Sequence, residues 1–254
     1  NSQNSINKTI ESVKSQTINN LEYIIIDGGS NDKTVDIIKS HEIVDKLISE
    51  KDSGIYNAFN KGLKKATGDI IGFLNSDDVF YEKDSLKKIL NSFDDDIDCV
   101  FGDLIYSNIK NETKRIWKGS KFKKGTFKKG WMPAHPTFYC KRSIYEKYGV
   151  FKEEYKIAGD FELMLRFLEK HNIRSKYIPE TLVNMKLGGI SNRSVGNIFK
   201  ILQEEFTAFK QNNISLNKIF YILHKSKKVK ECNRVTTAVK NGFAKCLKAA
   251  IFKI

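Results

Sequence analysis

The stretch Asp69-Ile70-Ile71-Gly72-Phe73-Leu74-Asn75-Ser76-Asp77-Asp78 decides how the chain is read. Its apolar run, 70–74, breaks off into a polar cluster that ends in two adjacent carboxylates. Such a run predicts a buried strand that delivers acidic side chains to a loop at its carboxyl end, the edge at which open α/β sheets bind ligands. Two neighbouring carboxylates repel unless a cation or hydrogen-bond donors come between them. Hard oxygen ligands of this kind suit Mg²⁺ or Mn²⁺, shared with the phosphates of a substrate. The competing reading is a solvated turn with a helix cap, where Asp is common.

Outward from this stretch, helices and strands alternate. Upstream, Ile6, Ile10 and Val13 mark one face of a short helix over 6–16. The apolar run 21–26 predicts a strand that ends in the turn Asp27-Gly28-Gly29-Ser30-Asn31-Asp32, followed by a helix with Val35, Ile37 and Ile38. A short strand at 47–49 leads through Asp52-Ser53-Gly54 into a helix that ends near Gly68. Downstream, a helix is expected over 83–93, with strands at 97–101 and 104–109 on either side of Gly102-Asp103. This alternation favours a parallel or mostly parallel sheet with helices on both faces.

The second half is more broken. Residues 117–131 are Gly-rich, basic and dotted with aromatics, which suggests a mobile loop or short helix. It is either a solvated face or, through Phe122 and Phe127, a phosphate- or membrane-facing loop. A strand is predicted at 135–140, helices near 142–148 and over 160–171, and strands at 175–178 and 182–187, with Gly188-Gly189 closing the segment. Helical periodicity resumes at Ile198, Ile201, Leu202 and Phe206 and again beyond 214. The chain thus divides into residues 1–194 and a helical, basic extension over 195–254.

Three further groups carry chemistry. Asp27 with its glycines either forms an ordinary turn or accepts hydrogen bonds from a base or ribose while the glycines admit a ligand to the backbone. Asp160 either caps the helix it opens or acts as a general base toward a hydroxyl. The positive helix end would lower its pKa and weaken it as a base. His135 either contacts substrate or packs.

Composition bounds the rest. The 254 residues are 40% hydrophobic, enough for one large domain or a domain with an appendage. No apolar run approaches the length of about 18 residues needed for a membrane-spanning helix. The start, Asn1-Ser2-Gln3-Asn4-Ser5, does not resemble a signal peptide, so the cytoplasm is expected. Cys99, Cys140, Cys232 and Cys246 lack metal-ligand spacing and read as reduced, packed thiols. No Ser/His/Asp or Cys/His arrangement suggests carbonyl chemistry. Of the net charge of +14, residues 195–254 carry +9, with 12 Lys and Arg against 3 Glu. This tail favours an anionic surface, and no recognised nucleic-acid motif accompanies it. The expected site is therefore peripheral to the inner face of a membrane.

Taken in order, three motifs resemble the family-two glycosyltransferases of the GT-A fold. They are Tyr23-Ile24-Ile25-Ile26-Asp27-Gly28-Gly29-Ser30-Asn31-Asp32-Lys33-Thr34; the segment from Ser49 through Lys51, Asp52 and Gly62 into Asn75–Asp78; and Ala158-Gly159-Asp160-Phe161-Glu162-Leu163-Met164-Leu165-Arg166. The resemblance covers about residues 5–192. It implies a GT-A (Rossmann-like), mostly parallel α/β sheet flanked by helices. It also implies an inverting transferase of the hexosyltransferase class, of the kind used in bacterial cell-surface polysaccharide assembly. The donor would be a nucleotide sugar, UDP-sugar favoured, and the acceptor a hydroxyl of a saccharide or lipid-linked molecule. Asp27, Gly28, Lys51, Asp52, Asn75 and Ser76 would border the nucleotide. Asp77 is favoured as ligand of Mg²⁺ or Mn²⁺ with Asp78 beside it, Asp160 would be the base, and His135 a donor or acceptor contact. Asn75 and Gly159 stand where many relatives have Asp and Glu. Relatives also begin with a strand before the helix at 6–16, so the resemblance implies an N-terminal truncation here. The alternatives are a nucleotidyltransferase and a non-catalytic basic protein binding membrane or nucleic acid.

Overall fold

A computed structural model of the chain describes residues 1–108, 110–187, 195–233 and 249–253. The predicted boundary at Gly188-Gly189 and Cys246 lie outside the described residues. The elements run α1 (Ile6–Lys14), β1 (Glu22–Asp27), α2 (Thr34–Lys39), β2 (Lys46–Ser49), α3 (Ile55–Lys65), β3 (Ile70–Asn75), β4 (Val79–Phe80), α4 (Ser85–Leu90), β5 (Cys99–Ser107), β6 (Thr113–Trp117), β7 (Tyr139–Lys141), α5 (Arg142–Tyr148), α6 (Gly159–Met164), β8 (Ser175–Lys186), α7 (Val195–Gln211), α8 (Lys218–Asn233) and β9 (Ala249–Lys253). A π-helical stretch, Leu165–Lys170, continues α6.

All strands join one sheet in the order β2-β1-β9-β3-β7-β5-β8-β4, with β6 paired to β5. Side chains of β1 and β3 alternate across it, and both sides are covered. Ile24, Ile26 and Phe73 enter a core that includes Phe59, Phe161 and Phe209, contributed by α3, α6 and α7. Tyr23, Ile25 and Leu74 enter a second core with Ile6, Ile10, Ile38 and Leu86, contributed by α1, α2 and α4. A strand buried on both faces reads as a continuous apolar run, as the sequence of β1 and β3 does.

The sheet is mixed, which corrects the expectation of a mostly parallel one. Pairing is parallel at β1–β2 and β5–β8. Elsewhere it is antiparallel: β7 enters between β3 and β5, and β9 between β1 and β3, each opposed to both neighbours, and the β5–β6 and β4–β8 pairs are antiparallel as well. Neither strand has a helix–strand signal: β7 is three residues long, and β9 lies in the basic tail, which is therefore not wholly helical.

Local differences have similar causes. Residues 135–137 form a 3₁₀ turn, so the strand predicted at 135–140 shrinks to β7. Gly102-Asp103 lies inside β5, and Pro179 inside β8; the register shifts between these two strands absorb both breaks. Cys99 and Cys140 are free, buried and opposite each other across β5 and β7. In the 117–131 segment Phe127 is fully buried. Its ring lies 5.4 Å from Trp131 and 5.6 Å from Phe161, and Phe122 lies 5.6 Å from Trp131. The aromatics hold this loop down, and Lys118, Lys121, Lys123, Lys124 and Lys129 point to solvent. Of the readings open for this segment, the short helix is present as a 3₁₀ turn at Phe127–Lys129, and its exposed side chains are lysines and not the two phenylalanines.

Candidate active site

Asp27 ends β1 and is fully buried. Its Oδ2 accepts from the amides of Gly29 (3.0 Å) and Ser30 (2.8 Å) and from the Ser49 hydroxyl at the end of β2 (2.8 Å). These bonds shape the turn after β1. A Cβ at Gly28 would lie 2.2 Å from Asp52 Oδ2, so the absence of a side chain there lets Asp52 reach across the turn. Asp52 Oδ1 also accepts from the Gly54 amide at 3.1 Å, at the start of α3. Lys51 is exposed, with its backbone alongside Gly29. Asp27, Gly28, Lys51 and Asp52 therefore form one rim.

The loop after β3 gives its two carboxylates different surroundings. Asp78 is fully buried. Its Oδ2 accepts from Asn75 Nδ2 at 2.8 Å and its Oδ1 from the Lys186 amide at 3.2 Å, and its carbonyl accepts from Thr9 Oγ1 at 2.8 Å. Burial, and then the charge of Asp77, push its pKa well up. Asp77 is half-buried, and among the described residues its carboxylate takes no hydrogen bond from another residue. Burial raises its pKa as well. Asn75 thus has a physical reason to be an amide: it donates to Asp78, whereas a carboxylate in its place would repel it. Ser76 shares a hydrogen bond with the Ser2 hydroxyl (2.8 Å), and the Ser2 amide donates to Thr34 Oγ1 (2.7 Å). Through Ser2 the loop after β3 is tied to the start of α2.

Asp160 is the second residue of α6, and the capping position belongs to Ala158. Its Oδ1 accepts from the Phe161 amide at 2.8 Å and from the Tyr56 hydroxyl at 3.4 Å. Burial pushes its pKa up to about 6, outweighing these bonds and the attraction of Lys225. The expectation that the helix end would depress it is reversed, because desolvation acts on the whole carboxyl group while a short helix supplies little field. Tyr56, in the first turn of α3, also donates to the Ile157 carbonyl at 2.7 Å. A Cβ at position 159 would lie 2.7–2.8 Å from the Tyr56 ring, so Gly159 is what lets Tyr56 stand against Asp160. Glu162 and Arg166 pair at 3.0 Å inside the protein, and Arg166 also donates to the carbonyls of Gly149 and Val150. They are scaffold.

His135 packs between Phe59 and Phe73, at 5.2 and 5.7 Å between ring centroids. Burial lowers its pKa to about 4, so the ring is neutral. Its Nε2 is buried and has no hydrogen-bond partner among the described residues.

One residue that shapes the candidate site had no signal in the sequence. Glu204, on α7, accepts from three successive amides, Lys156 (2.9 Å), Ile157 (2.9 Å) and Ala158 (2.7 Å). It fixes the backbone that leads into Asp160. Only its Glu-Glu position on an amphipathic helix was visible beforehand, and that says nothing about its partners. Among the described residues no three His, Cys, Asp or Glu side chains form a ready metal cluster, and no helix is long and apolar enough to cross a membrane.

Comparison with known proteins bears on the fold and the family. A PGL/p-HBAD biosynthesis glycosyltransferase of Mycobacterium bovis is 28% identical over 198 residues, which is 75% of each chain. Among solved structures, Staphylococcus aureus TarS 1-349 in complex with UDP-GlcNAc superposes with a TM-score of 0.64 at 16% identity, over 92% of this chain and 70% of that one. This chain spans 42% of the longer TarS chain. The mannosyltransferase PcManGT of Pyrobaculum calidifontis, in complex with GDP-Man and Mn²⁺, gives 0.60 at 16% identity, over 89% of this chain and 66% of that one. These likenesses identify an α/β fold of the GT-A type. The Glycosyl transferase family 2 model matches residues 1–152, more than half of the sequence, and the chain belongs to that family.

Proposed function

We propose that the protein transfers a hexose from a UDP-sugar to a hydroxyl of a saccharide or lipid-linked acceptor with inversion, in the assembly of a cell-surface glycan. The observation that carries this reading is the unequal treatment of the two carboxylates after β3. Asp78 accepts from Asn75 and Lys186, while the Asp77 carboxylate takes no hydrogen bond from any other residue among the described ones. One uncommitted carboxylate at the ligand-binding edge fits Mg²⁺ or Mn²⁺, which takes one or two protein carboxylates and fills its remaining positions with phosphates and water. When bound there, a divalent cation offsets charge on the departing diphosphate.

The chain's own groups do the rest. The rim of Asp27, Gly28, Lys51 and Asp52 holds the nucleoside, and the Asn75–Ser76 turn borders the diphosphate. Asp160 takes the proton of the acceptor hydroxyl as its oxygen attacks the anomeric carbon from the face opposite the leaving group. A carboxylate with a pKa of about 6 is largely ionised at neutral pH and still a better base than an ordinary Asp. His135 offers an unpartnered ring nitrogen to donor or acceptor.

The test is a panel of nucleotide sugars with Mn²⁺ or Mg²⁺, scored for nucleoside diphosphate release. Release with UDP-sugars is expected; nucleotide turnover without any sugar transfer would overturn the reading. Glu204→Ala is expected to lower kcat about tenfold with the donor KM unchanged. It should also cost about 2 kcal/mol of stability, since three amides lose a charged acceptor. Steady-state kinetics beside thermal unfolding checks both, and Glu204→Gln should recover part of each.

A further inference from the structure

α8 turns one side to the protein and the other to solvent. Tyr221 is fully buried. Its ring lies 6.0 Å from Phe206 and 5.6 Å from Phe209 of α7, and its hydroxyl donates to Glu205 at 2.9 Å. One turn on, Lys225 pairs with the same Glu205. Opposite them, Ile219, Phe220, Ile222 and Leu223 are 74%, 43%, 42% and 55% exposed. A helix resting on a soluble core normally turns such a stripe inward.

The surroundings of this stripe are cationic. Gly130 lies against Lys225, so α8 packs beside the 118–129 loop. There Lys118, Lys121, Lys123, Lys124 and Lys129 are exposed and, among the described residues, make no ion pair. Lys227, Lys228 and Lys230 follow in the sequence of α8.

We propose that the outer face of α8 and the 118–129 lysines together dock on an anionic phospholipid bilayer. Exposed aliphatic and aromatic side chains flanked by lysines match an interface where acyl chains lie just below phosphate groups. A second copy of the chain meeting this face symmetrically would set lysines against lysines. A nucleic acid would engage the lysines and leave Ile219 and Leu223 in water. The face also adjoins the acceptor end of the site. Lys225 lies close enough to Asp160 to stabilise its charge, and Phe127, in the lysine loop, packs on Phe161 next to Asp160. Docking here brings the Asp160 end of the site to the membrane surface, one helix away from the bilayer, which suits an acceptor held by a lipid; this last step rests on the transferase reading, and the docking does not.

The experiment is co-sedimentation of the full chain with phosphatidylcholine vesicles, with and without phosphatidylglycerol. Binding is expected only with phosphatidylglycerol, and it should weaken with salt. Two variants, Ile219→Ser/Phe220→Ser/Leu223→Ser and Lys121→Glu/Lys123→Glu/Lys124→Glu, should each bind about tenfold more weakly, with donor cleavage in solution retained. Equal binding by the parent and both variants would overturn the proposal, as would equal binding to both vesicle types. A concentration-dependent dimer that the triple-serine variant abolishes would overturn it in favour of a second copy. If the parent binds anionic vesicles but cleaves no nucleotide sugar, docking stands and only the acceptor step falls.

Discussion

Asp160→Asn is expected to lower sugar transfer by about 10³-fold while making the folded protein more stable at neutral pH. The loss follows because an amide cannot take the acceptor's proton, yet its oxygen can still accept from the Phe161 amide. Donor binding should therefore survive. The gain follows from the raised pKa. In the unfolded chain the carboxyl titrates near 3.8 and in the folded protein near 6. Between those values the folded state binds more protons than the unfolded one, so wild-type stability falls as pH rises through the window. Above about pH 6 the penalty is fully present, and the Asn variant escapes it by about 1–2 kcal/mol once partial solvent access is allowed for. Below about pH 4 the two proteins should be equally stable with respect to this group. Thermal unfolding at pH 4 and pH 7.5, beside initial rates, reads both effects. The same shift sets the wild-type rate profile: transfer should rise with pH through about 6 and then level. An inactive variant whose stability advantage over wild type is no larger at pH 7.5 than at pH 4 would show that Asp160 is not a desolvated base.

The chain advertised the elements whose neighbours lie close in sequence, or whose burial is complete. β1 and β3 were legible because both of their faces are apolar, and the turn after each was legible because Asp27, Gly28 and Asn75–Asp78 interrupt those runs so sharply. Asp160 was visible as a residue and misread as an environment. Its place near a helix start is local, whereas the burial that raises its pKa comes from the tertiary fold, in which even its hydroxyl partner Tyr56 lies 104 positions away. Glu204 illustrates the same limit. Its three amide partners lie 46–48 residues upstream, and nothing in α7 itself marks one glutamate of an adjacent pair as theirs. The direction of β7 and β9 was hidden for a related reason, since strand polarity is fixed by the path of the chain and not by side-chain pattern. In the other direction, the structure accounts for two residues that stood out as departures. Gly159 makes room for the Tyr56 ring, and Asn75 supplies the donor that Asp78 needs.

Asp77→Ala is expected to lower donor turnover by about 10²-fold or more and to abolish its response to Mn²⁺, with stability unchanged or slightly raised. Its carboxylate takes no hydrogen bond from another residue among the described ones, and burial already disfavours its charge, so removing it costs the fold nothing. Asp78→Ala should behave in the opposite way. It strands Asn75 Nδ2 and the Lys186 amide inside the protein, which should cost about 1–3 kcal/mol for each buried donor left without an acceptor, and it loosens the loop that carries Asp77. Its activity should therefore fall with its stability and recover in part on cooling, while the Asp77 variant keeps its full deficit at every temperature. Calorimetric titration of UDP supplies a readout independent of turnover. In the parent and in a folded Asp78 variant, Mn²⁺ should tighten UDP binding; in Asp77→Ala the affinity should be the same with and without the ion. The assignment of the two neighbours would have to be exchanged if the Asp78 variant lost the Mn²⁺ effect while Asp77→Ala kept it. The physical reason to expect otherwise is geometric: Asp78 is fully buried with each oxygen held by a protein donor, whereas Asp77 beside it is part-exposed and takes no hydrogen bond from another described residue.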